Sequence, residues 1–191
     1  PTAQEYHNTH PNPEKLALET EPNPKAFTEF LTPLESSKVS DGASAIGILS
    51  EEGLKRSGIP NDQAVQVVGW GHAVEDVSED PKEPTRLDTM AKAVQKAFTM
   101  AGIGKDDLAT VEIHDCFAIA PVMGVEAIGL APYGKGAEYI LEGHTARDGH
   151  IPFNTTGGLI GWGHPTGATG VHMAVTLWEQ LTGNAGEAQI N

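Results

Sequence analysis

Apolar residues recur at helical spacing in two long runs of this chain and crowd into three short strand-like runs, and their order sketches the fold. Leu87, Met90, Ala91, Val94, Ala97, Phe98 and Ala101 follow a 3.6-residue period that stops at Gly102, which predicts an amphipathic helix. Val171, Val175, Trp178 and Leu181 mark one face of a second helix, running from Ala168 to near Gly183. Between them, AIAPVMGVEAIGL (118–130) is apolar nearly all round and predicts a buried helix. The strand-like runs are GASAIGILS (42–50), AVQVVGW (64–70) and ATVEIH (109–114). Ser50 is placed to cap a short helix, EEGLKRSG, that ends at Gly58. Strands alternating with helices predict an α/β layered fold, a mixed sheet covered by helices.

The polar stretches divide the chain. Residues 1–38 are rich in proline and acidic side chains and read as an extension. Within it, Phe27, Phe30, Leu31 and Leu34 are spaced for a short docked helix or a packing turn. Residues 39–191 then form one domain. GHAVEDVSEDPKEP (71–84) is an acidic surface excursion, and 132–154 reads as turn-rich loop. TTGGLIGWGHPTGATG (155–170) is dense in glycine, so backbones approach closely there.

Charge narrows the partners. Lys and Arg number 12 against 26 Asp and Glu, a net charge of −14, which opposes phosphate backbones and anionic lipid. Neither a run of roughly 20 apolar residues nor a signal-peptide pattern is present, so a soluble, intracellular protein without a membrane span is expected. Cys116 is the single cysteine, and the eight histidines show no HExxH or His-x-His spacing; no metal site is expected.

Two motifs carry the chemistry: His114-Asp115-Cys116-Phe117 and Gly163-His164-Pro165, each standing just before an apolar helix. A single cysteine among apolar neighbours is commonly a small buried hydrophobe. Here, a thiol at a helix start beside an imidazole can also shuttle a proton. His114 and Cys116 project to the same side of an extended strand end, while Asp115 points away to accept backbone hydrogen bonds. His164, ahead of a helix N-terminus, is expected to stay neutral and to act as a general base or an oxyanion donor. Asn154, Gly157 and Gly158 shape a tight turn against the site. A phosphate cradle is the weaker reading of the glycine-rich stretch, which lacks a Walker lysine and the strand context of GxGxxG.

VEIHDCFAIA (111–120), PFNTTGGLIGWGHPTGATG (152–170) and VSDGASAIGILSEEG (39–53) together resemble the C-terminal half of thiolases, specifically the sterol carrier protein type, in which HDCF stands where other thiolases carry NEAF. The resemblance runs from about residue 38 to 191. It implies half of a five-layer αβαβα fold and either thiolysis of 3-oxoacyl-CoA or the reverse Claisen condensation. Coenzyme A and acyl-CoA would be substrates rather than permanently bound cofactors. His164 would activate the nucleophilic cysteine and share in an oxyanion hole, His114 would donate to the thioester oxygen of the second acyl-CoA, and Cys116 would take or return the α-proton. Asn154, Gly157, Gly158 and Gly163 would lie on the coenzyme side.

By the same resemblance the acylated cysteine lies in an N-terminal half, and the chain stops before the family's last glycine-rich strand. A truncated C-terminal part is therefore expected, inactive alone, with residues 1–38 a remnant of the loop domain. The full-length form would be a homodimer or homotetramer, cytoplasmic, or peroxisomal or mitochondrial in a eukaryote. Lys82, Arg86 and Arg147 are candidate contacts for coenzyme A phosphates, and Trp162 either walls the acyl tunnel or packs in the core. The rival reading is a non-catalytic thiolase-like subunit that binds acyl-CoA or a partner. A thiolase-like aldolase is the third.

Overall fold

Ser50 turns an extended run into a helix. Its hydroxyl accepts the Gly53 amide at 3.1 Å, two glutamates occupy the first turn, and Gly58 closes the helix in the left-handed region, giving α1, Glu51–Ser57. The computed structural model describes residues 35–80 and 83–190. Across these the helices continue as α2 (Asp88–Ala101), α3 (Ile119–Ile128), α4 (Gly136–Leu141), α5 (Gly158–Trp162) and α6 (Thr169–Leu181). The helix expected at Phe27–Leu34 lies outside the described residues, as does Lys82.

The periodic run predicted at 87–101 is α2, ended by Gly102 at φ 71°. It packs on α3, and α3 packs on α4. In α3, Val125 is fully buried and Ile128 nearly so, in keeping with its apolar sequence. Val125 and Ile151 each contribute about 1.5–3 kcal/mol through complete burial. Ile113, Leu159 and Ala168 are buried as well, Ile113 immediately before the first motif and the other two on either side of the second.

Three expectations need correction. Runs 42–50, 64–70 and 109–114 are extended, but they form no strand ladder among the described residues. Isolated bridges join Ser36 to Phe117, Val39 to His164 and Val111 to Phe153. A strand needs a second extended backbone alongside it. The 64–70 run instead lies against α2, so closely at Gly69 that a Cβ there would collide with the Ala97 carbonyl, and Val67 and Trp70 stand exposed. Second, the 132–154 stretch is not all loop, since α4 forms within it. Third, α6 buries Thr169, Thr176 and Gln180, whereas Trp178 and Leu181 of the expected apolar stripe are exposed. Polar burial is tolerated because the Gln180 amide donates to the Thr155 hydroxyl at 2.9 Å and the Ala188 carbonyl at 2.7 Å.

Candidate active site

Asp115 is buried, and its carboxylate accepts the Leu159 amide at 2.7 Å, which ties the first motif to the start of α5. With residue 115 turned inward, the extended backbone sends His114 outward, and Cys116 two residues on is half-buried. Asn154 fixes the approach to this turn. Its Oδ1 accepts the Ile113 amide at 2.8 Å and its Nδ2 donates to the Ile113 carbonyl at 3.0 Å. It holds a left-handed φ of 47°, a conformation asparagine tolerates better than most residues. Asn154 therefore acts here on protein backbone, not as an open contact.

The glycine positions serve close approach. Gly158, at φ 62°, lies so near the Asp115 carboxylate and the Asn154 amide that a Cβ would strike both, and Gly157 caps α5 at φ 106°. Gly163, at φ 102°, leaves room for the Ser40 hydroxyl.

A short backbone segment, residues 35–40, crosses both motifs. The Ala118 amide donates to the Glu35 carbonyl and the Ser37 amide to the Cys116 carbonyl, each at 2.9 Å, and the His164 amide donates to the Lys38 carbonyl at 2.7 Å. These three contacts of the strap are main-chain, and side-chain pattern carries no signal for them.

The strap and the core bring the two imidazoles together. His114 and His164 meet edge to face, their ring centroids 4.8 Å apart at 83°. Burial, and then the charge of the neighbouring His164, hold the His114 imidazole below the ordinary histidine range, against an opposing pull from Asp115. This favours the neutral ring, which keeps one N–H to donate. His164 Nδ1 lies 2.8 Å from the Thr169 hydroxyl. Thr169 escaped notice because GATG reads as a backbone turn; a hydroxyl five residues after a motif histidine, at the first position of a helix, was the available signal.

Glu112, two residues before His114, was also missed. Burial first, and then the nearby Asp115 charge, push its carboxyl up to about 7, although the Thr155 amide pulls it down. Its Oε1 is buried and has no hydrogen-bond partner among the described residues.

Trp162 is 65% exposed, so it does not pack in the core, and its indole N–H donates to the Thr156 carbonyl. Phe117 and Ile119 beside the first motif are exposed as well. Arg86 pairs with Asp88 at 3.2 Å and lies over the Tyr133 ring, and Arg147 donates to the Glu187 and Gln189 carbonyls. A cleft of about 330 Å³ is lined by Lys105, Tyr139, His144 and His150 and includes none of the motif residues. Among the described residues no three His, Cys, Asp or Glu side chains cluster to hold a metal, and no helix is long and apolar enough to cross a membrane.

A family profile described as "Thiolase C-terminal domain-like" matches residues 70–191. Acetyl-CoA acetyltransferase of Methanothermobacter thermautotrophicus is 36% identical over 179 residues, which cover 93% of this chain and 46% of that protein. Sterol carrier protein 2 of Rattus norvegicus is 35% identical over 167 residues, covering 85% of this chain and 30% of that protein. The chain thus spans half or less of the length of these relatives. Among solved structures, a chain of "Ltp2-ChsH2(DUF35) aldolase" superposes with a TM-score of 0.55 at 22% identity, covering 64% of this chain and 33% of that one, a likeness of fold alone.

Proposed function

Because this chain belongs to the thiolase C-terminal domain-like family, we propose that it carries the acid/base half of an acyl-CoA C-acyltransferase, cleaving 3-oxoacyl-CoA or running the reverse Claisen condensation. The observation that carries the reading is the edge contact of His114 with His164 at 4.8 Å, with Cys116 two residues from the first ring. Two imidazoles and a thiol serve a reaction that makes and breaks a bond next to a thioester carbonyl.

In this reading His164 takes the proton of a nucleophilic thiol as it attacks the substrate carbonyl. In the cleavage direction, carbon-carbon bond breakage leaves an enolate. The neutral His114 donates its N–H to the enolate oxygen, and the Cys116 thiol returns a proton to the α-carbon; in condensation its thiolate removes that proton. A preorganised donor of this kind supplies about 3 kcal/mol to the transition state. Coenzyme A and the acyl-CoA are substrates. The exposed Phe117, Ile119 and Trp162 offer apolar surface to the acyl chain. Asn154, Gly157, Gly158 and Gly163 support the coenzyme side through the backbone they shape. The acyl-accepting cysteine would come from an N-terminal half, and the assembled enzyme would be a homodimer or homotetramer.

The test is thiolysis of acetoacetyl-CoA by this chain alone and by this chain combined with the N-terminal half of the Methanothermobacter relative. Activity is expected from the combination only, and Cys116→Ser or His164→Asn in this chain should remove it. Cleavage by the chain alone at a rate that survives Cys116→Ser would sink the reading. The alternative is a non-catalytic thiolase-like subunit that binds acyl-CoA or a partner. A combination that binds acyl-CoA yet turns nothing over would support that alternative.

A further inference from the structure

We infer that Thr169 sets the tautomer of His164, placing the ring proton on Nδ1 and leaving Nε2 as a bare acceptor. The Thr169 side chain is buried, and its hydroxyl makes two contacts, to His164 Nδ1 at 2.8 Å and to the Pro165 carbonyl at 3.2 Å. A threonine hydroxyl has one proton to give and can accept from others. With Nδ1 protonated, both contacts are hydrogen bonds at once: Nδ1–H donates to Oγ1, and Oγ1–H donates to the Pro165 carbonyl, the i−4 partner common for threonine in a helix. With Nδ1 bare, the hydroxyl must turn its proton to the ring, and the two oxygens are left facing each other at 3.2 Å with no proton between them. The Pro165 carbonyl also accepts the Ala168 and Thr169 amides, which pins it in place as the end of this relay.

Three further constraints hold the ring on Thr169. The His164 amide is held by Lys38, the ring edge or face is packed by His114, and Gly163 takes a φ of 102° that a side chain would strain. Thr169 is thus a positioning residue. It acts through His164, whose Nε2 is the ring nitrogen that Thr169 does not engage.

The tautomer itself stands on geometry; its catalytic consequence rests on the thiolase reading. There, the thiol S–H bond breaks, the proton and a new N–H bond go to Nε2, and the electron pair stays on sulfur. The resulting imidazolium keeps its Nδ1–H on Thr169. The opposite tautomer presents N–H to the thiol and can take no proton.

The experiment is long-range nitrogen-proton NMR of the 191-residue chain, with the His164 spin system assigned by its loss in His164→Asn. Expected is a protonated Nδ1 and a bare Nε2 in the native chain and in Thr169→Ser, and a shift toward protonated Nε2 in Thr169→Val. A native chain with its proton on Nε2 overturns the inference, as does a Thr169→Val spectrum unchanged from native. Thr169→Ser guards against a misfolded valine variant, since native and serine spectra alone can contradict the assignment. In the combined thiolysis assay, Thr169→Val should lower kcat on the order of a hundredfold with KM little moved, and Thr169→Ser should recover most of it. The expected tautomers with no turnover in any combination would fault the thiolase reading and leave the tautomer assignment intact.

Discussion

Glu112 stands just ahead of His114 with one carboxyl oxygen buried and unpartnered among the described residues, and its charge is costly there. In the folded protein it titrates at about 7, against 4.5 for the ordinary side chain. Between those values the folded state keeps a proton that the unfolded chain has released, so this group makes stability fall as pH rises. His114 acts in the opposite sense, because its lowered affinity for a proton makes stability rise with pH through the ordinary histidine range. Glu112→Gln should therefore abolish the falling contribution and leave the rising one, read as unfolding midpoint against pH between about 5 and about 8. An unchanged slope would show that another group governs it. At Asn154, glycine keeps the left-handed backbone but deletes both hydrogen bonds to Ile113. Asn154→Gly should cost about 1–3 kcal/mol in urea unfolding, the penalty of buried backbone groups left unpaired.

At the scale of elements, the strap of residues 35–40 is the piece whose removal should separate the motifs. Ser37→Pro deletes the amide that holds the Cys116 carbonyl, a loss of about 1 kcal/mol, and should weaken the contact between His114 and His164 rings as followed by cross-ring proton NMR signals. Lys38→Ala keeps its carbonyl bond to His164 and should change stability by less than about 0.5 kcal/mol. The helices were legible in the sequence where local signals agree: Ser50 and Gly58 bracket α1, and the period from Leu87 to Ala101 becomes α2. Both motifs stand ahead of helices, as their flanking apolar runs signal, while the edge contact of His114 with His164 is what the fold adds. Strand pairing was not legible, because Val65 or Ile48 reports an extended preference and says nothing of a neighbour. Nor was the buried side of α6, where hydrogen bonds from Gln180 outweigh the apolar stripe ending at Leu181.

At the scale of the molecule, apolar surface is left in view. Ile48 is 82% exposed, Val67 73% and Trp70 64%, all on extended runs without a strand beside them. Apolar side chains exposed on backbone without a strand beside it are open to a partner surface. The chain alone should therefore bind a hydrophobic dye strongly, and adding the N-terminal half of a thiolase should reduce that signal and shield Trp70 from aqueous quenchers. Equal quenching with and without the added half would mean the surface is covered by something else. The strap has one more consequence at this scale. Residues 35–40 hold Cys116, Ala118 and His164 through amides and carbonyls, bonds that the backbone supplies whatever side chain it carries. Proline at Ser37 would remove the bond to the Cys116 carbonyl, and at Ser40 the hydroxyl lies where a side chain on Gly163 would stand, so shape counts there as well. The register of the two imidazoles is thus written in the path of the chain, where a catalogue of matching residues would pass over it.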